Sequence, residues 1–243
     1  LARKQYFKSF NAFSSTLVGY PNTKYFNDIV GEEYRIASSL LDGARNRYWG
    51  IIPGFRNRTR AIDYFEVIVQ SAPYSDYAPL ALMNKARAQL KEREIEEAID
   101  SLDRMINLYP QSLLAPDAYL KLAQTHSLLV EGPRYDQGST REAITYFEDF
   151  LILFPNDANV PVAASGLDKM KQVLSESKIE IGDFYFHKRK NYTAARVFYN
   201  EAITAYPESE VAARAREKLA QVEASAAGQA SPDGKRKKRF FFF

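Results

Sequence analysis

What most restricts the folds open to this chain is a phrase written five times. Residues 98–112 read AIDSLDRMINLYPQS, 61–75 AIDYFEVIVQSAPYS, 143–157 AITYFEDFLILFPND and 195–209 ARVFYNEAITAYPES, and a worn copy at 9–23 reads SFNAFSSTLVGYPNT. Four copies hold Ala and Pro twelve residues apart (Ala61–Pro73, Ala98–Pro110, Ala143–Pro155, Ala195–Pro207), and Ser9 stands twelve before Pro21. Four residues after the small slot comes a bulky one: Phe13, Phe65, Leu102, Phe147 or Tyr199. Around Ala98, residues Ile99, Leu102, Met105, Ile106 and Tyr109 recur at helical steps, which predicts one apolar stripe on a helix that Pro110 ends. A small residue followed one turn later by a large one lets two helices approach and interlock. Each proline is followed by a short polar stretch and a second helical pattern. Ser75–Asp76, Ser112 and Ser209 are expected to accept hydrogen bonds from free N–H groups at those helix starts. Pro79 and Pro116 are tolerated there, because first-turn N–H groups have no partner within the helix. The chain reads as alternating helices without a period-two strand.

The residue inventory narrows the chemistry. The 243 residues include no cysteine, which excludes disulfides, thiol catalysis and cysteine-based zinc sites. No apolar run reaches the ~18 residues of a membrane-spanning helix, and LARKQYFKSF at the start is not a secretory signal. The net charge of +3 is uneven: residues 231–243 contribute five Lys/Arg less Asp233, or +4, leaving −1 for residues 1–230. His126 reads as a packing or surface residue, and His187 falls in what reads as a cationic loop, FHKRKN; neither has a partner spaced for metal or nucleophile. Glu32/Glu33 and Glu96/Glu97 are adjacent on helices, point different ways and read as solvated faces. An enzyme is therefore not expected, and neither is a cofactor, a metal or a small-molecule substrate. Nucleic acid is not expected either, because the basic tail has no interleaved stacking aromatics.

Ala, a large residue four on and Pro at twelve resemble the second helix of the tetratricopeptide repeat. Gly31-x-x-Tyr34 fits the small and aromatic slots of its first helix, and Tyr192-x-x-Ala195 the entry to its second. The resemblance implies an all-α tetratricopeptide-repeat (α-α superhelix) solenoid of about five helix pairs over residues 1–225, the first incomplete. Residues 226–243 would follow as a disordered linker with a basic-aromatic tail. Successive prolines lie 52, 37, 45 and 52 residues apart, however, where a plain repeat gives about 34. The excess sits at 42–60, 130–140 and 166–192.

Those interruptions, PRYDQGSTREAITYFEDFLILFPND (133–157), a long helix and GDFYFHKRKNYTAARVFYNEAITAYPES (182–209), resemble the BamD (YfiO) family. Its members are lipoproteins of the outer-membrane β-barrel assembly machinery, and the likeness is best over 61–222. The resemblance implies a non-enzymatic scaffold at the periplasmic face of the outer membrane, held by a lipidated cysteine after a signal peptide. This chain shows neither, so the expectation is that they precede the sequence in hand. Implied partners are a BamA-like barrel subunit, other assembly components and unfolded outer-membrane proteins. The barrel subunit would dock at the C-terminal repeats, where Lys188, Arg189, Tyr192, Arg196, Phe198 and Tyr199 lie. The alternative is a generic repeat adaptor or periplasmic co-chaperone.

Three further stretches stay open between binding and structure. The 42–60 insert carries Arg45, Arg47, Arg56, Arg58 and Arg60 beside Tyr48, Trp49 and Phe55; it is either an interface or a loop folded over a repeat edge. Tyr135, Asp136 and Gln137 either meet a partner or close the loop, with Asp136 as a cap. The tail places Lys235, Arg236, Lys237, Lys238 and Arg239 before Phe240, Phe241, Phe242 and Phe243. It grips an anionic membrane surface, imitates the aromatic end of an unfolded barrel protein, or has no partner.

Overall fold

The computed structural model describes residues 4–49 and 52–230. Helices α1 (Tyr6–Gly19), α3 (Arg58–Ser71), α5 (Ile95–Leu108), α7 (Gly138–Leu153) and α9 (Tyr192–Ala205) carry the five copies of the phrase. Helices α2 (Phe26–Leu41), α4 (Tyr77–Glu92), α6 (Ala115–Leu128) and α8 (Val160–Asp183) each precede one, and α10 (Glu210–Ala230) ends the series. The fold is all-α and of tetratricopeptide type. Among the described residues, four complete pairs lie between a leading second helix and a trailing first helix.

The spacing seen in the sequence is the packing. Ala61, Ala98, Ala143 and Ala195 are fully buried, and Phe65, Leu102, Phe147 and Tyr199 are buried one turn on. The worn copy differs: Phe13 is half-buried, and α1 instead buries Phe10 and Leu17, with Phe10 stacked on Tyr64 of α3 at 3.6 Å. Gly31 allows α2 to approach α4, since a Cβ there would sit 2.7 Å from the Tyr77 hydroxyl.

Four of the pre-proline residues show how their helices end. Tyr20, Ala72, Tyr109 and Tyr206 leave the helical region with φ between −129 and −151° and ψ between 51 and 77°. Proline's ring crowds the residue before it out of the α region. The same turn then repeats: Ser75 N–H donates to Ala72 O, Ser112 to Tyr109 O, Asp157 to Phe154 O and Ser209 to Tyr206 O. Ser209 Oγ caps α10 by accepting from Ala212 N at 3.0 Å, and Ser112 Oγ accepts from Leu114 N at 3.2 Å. The expected Ser75–Asp76 cap is absent. Ser75 spends its hydroxyl on Ala72 O, and Asp76 makes no capping bond.

Three further expectations need correction. The 42–60 insert contains an antiparallel hairpin of β1 (Arg45–Tyr48) and β2 (Ile52–Arg56), paired Arg45 with Arg56 and Tyr48 with Ile52. Strands of four and five residues containing Pro53 and Gly54 leave no readable alternation; the hairpin is held from outside, by Arg47 N–H donating to Lys4 O. The supposed cationic loop at His187 is a π-helical turn, Phe184–Lys188, that continues α8. Glu33 is not on a solvated face but fully buried, whereas Glu32 is half-buried and bonded to Arg35. At the far end α10 runs on through Ala230, beyond the expected boundary at 225. Its AlaSerAlaAla stretch favours helix strongly enough to extend it. Residues 231–243, with the whole basic-aromatic run, lie outside the described residues.

Packing divides the described residues into two units, one of those up to 128 with 145–163, the other of 129–144 with those from 164 to 230. In the first, Glu66 of α3 binds Lys85 of α4 at 2.6 Å and Arg104 of α5 at 2.9 Å, tying three successive helices. In the second, Asp183 accepts from Tyr199 Oη at 2.6 Å and from Lys218 Nζ at 2.8 Å, tying α8, α9 and α10.

Candidate protein-interaction surfaces

No described helix is long and apolar enough to cross a membrane, and the described residues hold no group of three metal-ligating side chains. Three exposed surfaces of the described residues combine aromatic or apolar side chains with local order.

The π turn organises the surface on the second unit. One extra residue per turn brings Tyr185 against Phe198 at 5.4 Å, rings parallel, and Phe186 against Tyr192 at 5.8 Å. Arg189 lies over the Phe184 ring at 5.4 Å, and its N–H closes the turn on Phe184 O. Asn191 Oδ1 then accepts from Ala194 N and starts α9. Lys188, Arg189 and Arg196 are exposed around this partly buried aromatic cluster, and Lys178, paired with Glu201, reaches over Phe198 at 5.8 Å. Of the six residues expected at this end, five line the surface.

Tyr199 does not. It is fully buried, its ring lies against Gly182 so closely that a Cβ there would meet Cε1 at 2.6 Å, and its hydroxyl is spent on Asp183. Burial, and then the carboxylate beside it, push the phenol well above its ordinary range. Tyr199 holds the surface up from beneath.

The two inserts have different fates. In the 133–138 loop, Asp136 Oδ2 accepts from Gly138 N at 2.8 Å as a cap of α7, and Gln137 Nε2 donates to Gly132 O and Tyr135 O. The loop closes on itself and leaves Tyr135 exposed. In the 42–60 insert, Arg58 pairs with Glu92 at 3.3 Å, and Arg60 covers the Phe7 ring at 5.3 Å. Trp49, Phe55 and Arg56 point into solvent.

A third surface was not anticipated. Two successive inter-repeat turns of the first unit, Pro73–Asp76 and Tyr109–Leu113, enclose a groove of about 880 Å³. Tyr74 and Leu113 stand fully out of its walls, Leu108 is more than half exposed, and Tyr109 Oη joins the turns by donating to Pro73 O at 2.7 Å. The signal lay in the copies. The slot after each proline reads Asn22, Tyr74, Gln111, Asn156 and Glu208, and the slot two further on reads Lys24, Asp76, Leu113, Ala158 and Glu210. Tyr74 and Leu113 are large apolar residues in polar or small slots.

The family model YfiO, outer membrane lipoprotein, matches residues 56–235. The chain belongs to the YfiO family. The match spans both the groove and the π-turn surface and leaves out α1, α2 and most of the hairpin. Among curated YfiO-type relatives, the outer membrane protein assembly factor BamD of Rickettsia prowazekii is 28% identical over 78% of this chain and 72% of its own length. BamD of Caulobacter vibrioides is 28% identical over 57% of this chain and 45% of its own. The chain thus spans about half the length of several of the curated relatives it matches. The solved structure of MamA superposes over 87% of this chain at 19% identity and a TM-score of 0.39. The helix pairs themselves, rather than that superposition, carry the fold assignment.

Proposed function

We propose that the chain is a non-enzymatic scaffold of outer-membrane protein assembly, working at the periplasmic face of the outer membrane. The observation that carries this reading is the YfiO match over residues 56–235, whose curated relatives are named as assembly factors. In this reading the surface around Phe198 takes a BamA-like barrel subunit. Exposed cations ringing a half-buried aromatic cluster suit an interface with an aromatic-arginine centre and a charged rim. The groove beside Tyr74 and Leu113 takes an extended apolar segment of an unfolded barrel protein, since its exposed side chains offer apolar area with little charge.

Pull-down of the full chain with the periplasmic domains of a barrel subunit tests the first contact. Arg189→Glu with Arg196→Glu is expected to abolish capture, while Leu113→Asp leaves it intact and weakens binding of an unfolded barrel protein. Capture that ignores the arginine pair would reject the Phe198 surface as the docking site.

A further inference from the structure

The hairpin is almost entirely outside the YfiO match, and its charged side chains enter no ion pair among the described residues. Residues 44–60 hold five arginines and no carboxylate. Arg58 and Arg60 are used internally, but among the described residues Arg45, Arg47 and Arg56 form no ion pair and are exposed. Arg45 stands directly across the ladder from Arg56. Like charges placed so weaken a strand pair unless an anion lies between them. Trp49 is 83% exposed and Phe55 93%, and Trp49 is held at φ 53°, a left-handed conformation that costs a bulky residue energy. Asn46 fixes the hairpin to the body: buried, it accepts from Phe7 N–H at 3.2 Å. Between hairpin and α1 lies an open hollow of about 550 Å³, where Phe7, Trp49 and Ile52 meet Lys8 and Arg47.

From this placement we infer that the hairpin β1–β2 docks on a lipid surface bearing anionic headgroups. A surface of that kind offers what these residues lack: phosphates for Arg45, Arg47 and Arg56, and an interfacial layer for an amphipathic indole and a phenyl ring. The apolar hollow edged by two cations matches the two ends of a phospholipid better than the uniform charge of an acidic protein. This contact is separate from any covalent lipid anchor and holds whether or not the chain acts in barrel assembly.

Trp49 is the only tryptophan in the chain, so its fluorescence reports the hairpin alone and is blind to the basic tail. The full chain is mixed with vesicles containing phosphatidylglycerol, with vesicles of phosphatidylcholine only, and with soluble polyglutamate. The expected result is a blue shift with the first alone, quenched by brominated acyl chains and reversed by salt. Arg45→Gln, Arg47→Gln and Arg56→Gln together, with helical content checked by circular dichroism, should weaken partitioning by about fivefold per charge, on the order of 100-fold in all. Three results would overturn the inference. One is unshifted Trp49 emission on vesicles that still sediment the protein; another is a shift with polyglutamate alone; the last is wild-type partitioning of the triple variant.

Discussion

Two carboxylates, one in each unit, each fasten three consecutive helices, yet they do so by different physics. Glu66 is a quarter exposed and faces two cations, and hydrogen bonds from Arg104 before all else hold its pKa down at about 2. Asp183 meets one cation and one phenol, and the phenol belongs to the largest fully buried side chain among the described residues. Glu66 therefore holds the α3–α4–α5 joint chiefly by charge, and the joint around Asp183 is chiefly packing that a hydrogen bond keeps in register. Glu33 completes the contrast. It is fully buried, neither carboxylate oxygen is bonded among the described residues, and burial raises its pKa to about 7.

The largest expected effect tests the packing joint. Tyr199→Ala removes a buried ring from beneath Gly182 and should cost about 3–5 kcal/mol, read by urea unfolding, with loss of partner capture at the Phe198 surface. Tyr199→Phe keeps the ring and should cost only about 1 kcal/mol. Equal losses from the two would mean that the hydrogen bond, not the packing, holds this joint.

Glu33 should behave in the opposite sense. A folded-state pKa of about 7 against the ordinary 4.5 means that the native state takes up a proton between those values. The contribution of Glu33 to stability is then greatest below pH 4.5, falls as pH rises, and levels off above about 7. Glu33→Met should remove that slope and gain about 3 kcal/mol above pH 7, the gain shrinking as the medium is acidified. Thermal unfolding across this pH range checks the sign. A variant less stable than wild type at pH 8 would show that Glu33 finds a partner after all.

The parts legible in the sequence are those the repeat states several times over. Ala61, Ala98, Ala143 and Ala195 could be read as buried because four copies agree on a small residue one turn before a large one. Where a feature is stated once, or depends on distant residues, pattern fails. The hairpin is fixed by Lys4 O and by the Phe7–Asn46 bond across 39 residues, which no local alternation encodes. Glu32 and Glu33 are the same letter twice, and only the helix phase puts one at the half-buried edge beside Arg35 and the other in the core. Tyr199 carries the aromatic-interface signature and the core-slot signature at once, and the slot wins because Gly182 leaves room for the ring. The groove at Tyr74 and Leu113 was readable, but only by asking where the copies disagree.

The charge joint gives a smaller effect and a different pH window. Because the Glu66 pKa is lowered, its stabilisation is present above the ordinary 4.5 and is lost as pH falls toward about 2. Glu66→Gln should cost about 2 kcal/mol at neutral pH, after allowance for the solvent that reaches this side chain. That cost should fade on acidification, and ~1 M salt should shrink it, since screening acts on the partly exposed Arg104 pair. Tyr199→Ala should show neither dependence, and matching salt profiles for the two variants would dissolve the distinction between the joints.

The smallest effect separates a joint from a groove wall. Tyr109 Oη bonds Pro73 O across successive repeats, while its ring packs against the first unit's core. Tyr109→Phe keeps the ring and removes one partly exposed hydrogen bond, so stability should fall by about 0.5–1 kcal/mol. The consequence for function should exceed the consequence for folding, because that bond sets the spacing of the two turns that carry Tyr74 and Leu113. Titration with an unfolded barrel segment, followed by anisotropy, should show weakened binding in Tyr109→Phe and none of the pH slope seen for Glu66→Gln. Unchanged binding in the less stable variant would mean that the groove is held open by its flanking helices, and that the Tyr109 bond belongs with the structural joints.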